Sequence, residues 1–146
     1  MAKNLHMNKV RNMRQFSASC ITTFLFSISF NAQAVLVDDM IAEYAQESGK
    51  TFSAEKGKTL WNETHSSKKD GKLRSCNSCH TKDLTASGKH KKTGKKIDPL
   101  APSVNNERLT DRKKINKWFK RNCKWTYGRK CTAEEKGHFL TYIKSQ

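Results

Sequence analysis

Ser75-Cys76-Asn77-Ser78-Cys79-His80 is the stretch on which the reading of this chain turns. Two thiols stand three residues apart, so on a helical turn both face one side. An imidazole follows at once. A C-x-x-C serves a redox dithiol, a zinc site or, with a trailing His, covalent haem attachment. A dithiol motif belongs in a βαβ pattern, and no run of this sequence alternates as a strand does. Zinc would need Cys123 and Cys131 as its second pair, and the seven residues between them are more than the usual knuckle holds. Haem uses every residue of the motif. The thiols of Cys76 and Cys79 add to its two vinyl groups, and His80 lies beneath the iron to give it a ring nitrogen. One such motif predicts one covalent haem c.

Outward from the motif, the sequence predicts helices and loops. Asp38 to Gln46 carries Met40, Ile41, Tyr44 and Ala45 on one stripe. Ser53 caps a helix over Ala54–Glu63, with Leu60 and Trp61 as its apolar spot. Thr110 caps Asp111–Arg121, where Ile115, Trp118 and Phe119 recur at helical spacing among Lys and Arg. Thr132 and Glu135 form a T-x-x-E capping box that opens a last helix through Lys144. Between them lie two loops, His65–Arg74 and the long Thr81–Val104, which holds both prolines. A loop that long in a small domain is functional or disordered. Its end, Ile97 to Pro102, is apolar enough to pack on the His80 side, and Pro99 or a neighbour is expected to give a carbonyl to the second ring nitrogen of His80.

The chain of 146 residues opens with Lys3, Lys9, Arg11 and Arg14 and no acid, continues through the apolar run Phe16–Phe30, and reaches Ala32-Gln33-Ala34. Basic start, short apolar middle and A-x-A end predict a secretory leader over residues 1–34, leaving a mature domain over 35–146 in the periplasm. The apolar run is too short and too rich in Ser and Thr to make a comfortable membrane span. Without the leader's four cations, 25 Lys and Arg face 13 Asp and Glu, a net charge of +12. The cations spread along the chain and carry no nucleic-acid signature, so they point to a solvated surface or to steering toward an acidic redox partner. Nucleic acid is not an expected partner.

The other face of the iron is less plain. No methionine follows Met40, which lies 36 residues before Cys76. By type, His65, His90, His138, a Lys or Asn122 could serve. His65 and His90 stand in basic loops that read as exposed, and nothing fixes where His138 points. Asn122 is four residues past Trp118 and seven past Ile115, so the three share one helical face, which should meet the haem. The plainer alternative is an Asn that caps a helix C-terminus.

Trp118 through Cys131, with Arg121-Asn122-Cys123 and Gly128-Arg129-Lys130-Cys131, resembles the SHP-type monohaem cytochromes c. So do Thr93-Gly94-Lys95-Lys96-Ile97, Pro99-Leu100-Ala101-Pro102-Ser103 and the C-x-x-C-H. The resemblance spans nearly all of the mature chain. It implies an all-α, small class I-like cytochrome c fold, about four helices and long loops around one haem. It puts Asn122 on ferric iron opposite His80, leaving on reduction so that O2, CO or NO binds. It implies a Cys123–Cys131 disulfide, which would also pin the residue next to Asn122. It implies electron transfer with a dihaem cytochrome c and a membrane cytochrome b. The alternative activity is an enzyme acting on O2, NO or a reduced nitrogen species. No acid–base constellation is recognisable near the distal side to favour it.

Overall fold

A computed structural model describes residues 32–67 and 70–146, with side chains from Val35 onward. The expected leader lies outside these residues except for its last three. Among the described residues five helices carry the fold: α1 Ala32–Ser48, α2 Ala54–Asn62, α3 Asn77–His80, α4 Arg112–Tyr127 and α5 Ala133–Lys144. Two antiparallel ladders complete it: β1 His65–Ser66 with β2 Leu73–Arg74, and β3 Gly88–Lys89 with β4 Lys96–Ile97. The fold is all-α, as expected, and the long loops fold back on themselves through ladders too short to leave any alternation. Among the described residues no helix is long and apolar enough to cross a membrane.

α5 is the central element. It buries Phe139, Leu140, Tyr142 and Ile143, and α1 and α2 pack against it. Val37, Met40 and Tyr44 of α1 meet Ala133 and Leu140. Against α2 the approach is close: a Cβ on Gly57 would overlap the His138 carbonyl. The second core cluster joins Trp61, Leu84, Ala101, Cys123, Cys131, Phe139, Tyr142 and Ile143. It reaches Cys76 and Tyr127, so the core runs continuously into the C-x-x-C-H turn.

Local chemistry sets the helix ends. Ser53 caps α2 by accepting from the Lys56 N–H, and α5 opens on the Thr132–Glu135 capping box. α4 begins one residue later than expected, because Asp111 and not Thr110 caps it, accepting from the Lys113 and Lys114 N–H groups. It also runs six residues past Arg121, to Gly128 at φ +68. Asn122 therefore lies inside a helix, which removes the capping reading of that residue. α1 likewise extends past both ends of the expected Asp38–Gln46.

Candidate haem site

Cys76 leads into α3, with Cys79 and His80 on the single helical turn that follows. The two residues between the cysteines hold that turn in place. Ser78 Oγ accepts from the Ser75 N–H at 3.1 Å. Asn77 Nδ2 donates to Asn62 Oδ1 at the end of α2 at 2.7 Å. Behind the turn, Trp61 Nε1 donates to the Thr81 carbonyl at 3.0 Å, and its ring lies 5.5 Å from that of His80. Thr81 sits at φ +68, a conformation costly for a β-branched residue, and the Trp61 bond helps hold it there.

Burial pushes the Cys76 thiol up to about 12 and the His80 imidazole down to about 4, the latter with a smaller contribution from the Arg108 charge. His80 is thus a neutral imidazole across the ordinary pH range, the form in which it ligates a metal. Cys76 is a thiol, and among the described residues both C-x-x-C cysteines are free. Cys123 and Cys131 are bonded to each other, with Cα atoms 5.4 Å apart. A four-thiolate zinc site is thereby excluded, since its second pair of ligands is committed.

Above α3 opens a cavity of about 1580 Å³. Cys76, Cys79 and His80 lie on one wall, and Ile115, Trp118 and Asn122 of α4 on another. Protein interiors hold few voids larger than a water molecule, so a space of this size at the heart of a small domain is built for a large guest. Phe139, Leu140, Ile143 and Leu100 give it apolar surface, and many polar and charged residues also line it, Arg74, Arg108, Lys114 and Tyr127 among them. The Tyr127 hydroxyl is buried without a hydrogen-bond partner, as is Nε2 of His65, whose ring is tilted against that of Tyr127 at 4.1 Å between centroids. A chamber with apolar surface, two thiols on one turn, a neutral imidazole beside them and a buried hydroxyl at the wall fit a haem bound through thioethers.

The other candidates sort themselves by position. His138 is structural, its Nδ1 accepting from the Ser53 N–H at 3.1 Å, away from the cavity. His65, expected in an exposed loop, is half-buried because the β1–β2 ladder folds it onto Tyr127. His90 is exposed, at a turn whose Thr93 N–H it accepts. Trp118 and Asn122 are exposed side chains on the cavity wall, on one face of α4. Of the expectation that Pro99 or a neighbour gives His80 a carbonyl, the structure corrects the Pro99 half. The Pro99 carbonyl accepts from Asn105 Nδ2 at 3.0 Å and Arg108 Nε at 2.8 Å, and makes no hydrogen bond with His80. Both lone pairs are thereby engaged. Ile97, Asp98 and Leu100 do line the cavity, so the segment is where it was expected while the Pro99 carbonyl faces elsewhere.

Several residues at the site were not singled out from sequence. Arg108 clamps the Asp98 and Pro99 carbonyls, and Arg74 lies over the Trp125 ring at 4.8 Å while donating to the Trp125 carbonyl. Neither carries a motif. For Tyr127 there was a signal: it continues the Trp118–Cys123 helix to the glycine that ends it.

Fold and site together define a small all-α haem protein of the c type. Residues 47–143 match a family model described as a domain of unknown function, DUF1924. The cytochrome c-type protein SHP of Cereibacter sphaeroides is 37% identical over 86% of this chain and 100% of its own length. Cytochrome c'' of Methylophilus methylotrophus is 41% identical over 52% of this chain and 53% of its own. Among solved structures, oxidised SHP, described as an oxygen-binding cytochrome c, superposes with TM-score 0.68 at 38% identity, over 75% of this chain and 96% of that one. Oxidised cytochrome c'' does so with TM-score 0.68 at 30% identity, over 77% and 95%. The chain belongs to the SHP-type family of monohaem cytochromes c, and its cofactor is haem c.

Proposed function

We propose that this cytochrome is exported, cleaved after Ala34, and works in the periplasm as an electron carrier whose reduced form binds a diatomic gas. Cys76 and Cys79 would hold the haem through thioethers, His80 would give its iron a ring nitrogen, and Asn122 would offer a second, exchangeable donor. The haem supplies a one-electron couple and a coordination position that a gas can share. The observation that carries the reading is the shared face of Ile115, Trp118 and Asn122 on a cavity wall, with the amide as the polar group of the three. An amide oxygen is a hard, neutral donor and prefers ferric over ferrous iron. Asn122 would thus suit ferric iron better than ferrous, and its place within α4, next to the bridged Cys123, holds its side chain at the cavity wall. The SHP of the solved oxidised structure is described as an oxygen-binding cytochrome c, and a solution structure of cytochrome c'' as bearing on haem-ligand detachment. Both support an exchangeable sixth ligand. The basic surface suits acidic electron-transfer partners, for which a dihaem cytochrome c and a membrane cytochrome b are the expected classes.

The test is a set of absorption spectra of the oxidised and the reduced holoprotein, with and without CO, for wild type and Asn122→Ala. The variant should change the ferric spectrum and leave ferrous CO binding within about twofold. An unchanged ferric spectrum, or a wild-type ferrous form that refuses CO, would end the reading of Asn122 as an exchangeable ligand.

A further inference from the structure

The β3–β4 hairpin is fastened to the haem-attachment turn. A Cβ on Gly88 would overlap the Cys79 carbonyl and press on the Cα of His80, so only glycine lets the strand lie this close. The turn beyond it is ordered: the His90 N–H donates to the Lys95 carbonyl, and the Gly94 N–H to the His90 carbonyl, each at 2.8 Å. Between this hairpin and the outer face of α3 lies a second cavity, of about 570 Å³. Asn77, Ser78 and Cys79 form its floor, and Lys89, Lys91 and Lys96 stand at its wall. Among the described residues no acidic one lines it. The three lysines are exposed, and among the described residues none is in an ion pair.

One feature of the hairpin argues that these charges face a partner. Lys89 stands directly opposite Lys96 in the ladder. Like charges in that position destabilise a strand pair, and a ladder of two residue pairs has little else to offset the repulsion. A solvated surface gains nothing from the arrangement, whereas an apposed carboxylate would relieve it. The helix α4 is also basic, but several of its cations are engaged within the protein. Arg112 is paired with Glu43, and Lys117 and Arg121 lie over the Trp118 ring. Lys91 and Lys96 also border the large cavity, whose lining carries Lys72, Arg74, Lys114 and Arg121 beside acidic groups, whereas the smaller concavity sets Lys89, Lys91 and Lys96 beside Cys79 with no acidic group among its described lining residues.

We infer that the β3–β4 hairpin and the outer face of α3 form the docking site for an acidic redox protein, whose carboxylates seat between Lys89, Lys91 and Lys96 against Cys79. The inference rests on the electron-carrier reading above and names where the electron crosses. One electron leaves the reduced partner at this face and converts ferric to ferrous iron. Complementary charge at such a face raises the association rate and makes it fall with salt.

The probe is a strongly acidic flavodoxin in its hydroquinone form, which gives up one electron and becomes the semiquinone. Its reduction of the ferric holoprotein is followed by stopped flow, beside reduction by a neutral flavin radical. Two variants with the same change in net charge are compared: Lys89→Glu with Lys91→Glu, and, on exposed positions of α4 outside both cavities, Lys113→Glu with Lys120→Glu. The hairpin pair should lower the bimolecular rate with flavodoxin about tenfold at low salt and flatten its salt dependence, leaving the rate with the neutral flavin unchanged. The α4 pair should lower it about twofold at most. Equal slowing in both pairs, or in neither, overturns the docking site while leaving the carrier reading intact. Failure of wild type to accept electrons from flavodoxin, with normal reduction by the small flavin, removes the carrier reading and the docking site with it. Loss of binding to phosphatidylglycerol vesicles in the hairpin pair, with its flavodoxin rate unchanged, assigns the face to a membrane surface and overturns the proposal too.

Discussion

Trp61 is the residue on which both the fold and the site lean. It is buried in the main core cluster, its ring faces His80 and Tyr142, and its N–H ends on the carbonyl of Thr81. That last bond ties α2 to the backbone that leaves the haem-binding turn in a left-handed conformation. Trp61→Phe keeps most of the apolar contact and removes the donor. A fully buried carbonyl left without its partner costs on the order of 1–3 kcal/mol, and this one is half-buried, so urea unfolding of the holoprotein should show a loss of about 1 kcal/mol. A loss below about 0.5 kcal/mol would mean that water replaces the indole N–H and that Thr81 needs no such tether. At this scale the sequence was readable where chemistry is local. Cys76, Cys79 and His80 declare themselves because their spacing is their function. Pro99 did not, because the fate of its carbonyl depends on Asn105 and Arg108, side chains whose reach only the folded loop defines. His65 was misread for the same reason: what buries it is Tyr127, more than sixty residues away in the chain and brought there by α4.

At the scale of elements, the last helix shows how far sequence signals reach. Thr132 and Glu135 predict its start, and the structure has both halves of the box, with the Thr132 side chain accepting from the Glu135 N–H and the Glu135 carboxylate accepting from the Thr132 N–H. Arg129 adds a bidentate pair at 2.6 and 2.8 Å. Burial alone would raise the Glu135 carboxyl, but the Arg129 guanidinium and the Thr132 N–H outweigh it and hold it below its ordinary value of 4.5. A carboxyl lowered by folding stabilises the native state above its unfolded pKa, and that contribution is lost as pH falls through the folded value. Glu135→Gln should therefore be less stable than wild type at pH 7, and the gap should close as urea unfolding is repeated down to pH 3. A gap that stays constant with pH would show that the carboxylate charge is not what the cap uses. Thr132→Ala should cost about 1 kcal/mol at every pH. The fourth helix was harder to read. The expected stop at Arg121 overlooked that Cys123, Thr126 and Tyr127 carry the inward face onward to a glycine, a commoner helix end than an asparagine. Neither ladder was legible, because two residues per strand cannot display a period.

The whole molecule is organised around its cofactor more than around its own side chains. Two core clusters meet at Leu109 and Phe119, and between them and α4 lies the cavity of about 1580 Å³ lined by residues of both. A chain of this length buries a limited fraction of its surface and has little stability to spare. The C-x-x-C-H turn packs on β3, and α4 on β1, each over a small area, whereas α1 and α2 pack extensively on α5. Occupancy by haem should thus matter unequally across the fold. In Cys76→Ser with Cys79→Ser, thioether attachment is impossible, and the prediction is a chain that keeps the α1–α2–α5 packing while α3, α4 and the hairpins lose fixed tertiary structure. Far-ultraviolet circular dichroism should retain most of its helical signal and the near-ultraviolet aromatic signal should collapse. Hydrogen exchange should localise the loss, with amides of Lys113 to Tyr127 exposed and those of Phe139 to Ile143 still protected. The disulfide between Cys123 and Cys131 cuts the other way. It constrains the unfolded chain by roughly 2.5 kcal/mol on a loop-entropy estimate and fastens the end of α4 to the start of α5. Protection should therefore reappear from Cys123 toward Tyr127 ahead of the rest of α4 once haem is supplied. Uniform loss of protection across all helices, or a near-ultraviolet signal equal to that of the holoprotein, would show that the fold does not divide in this way and that haem enters a scaffold already complete.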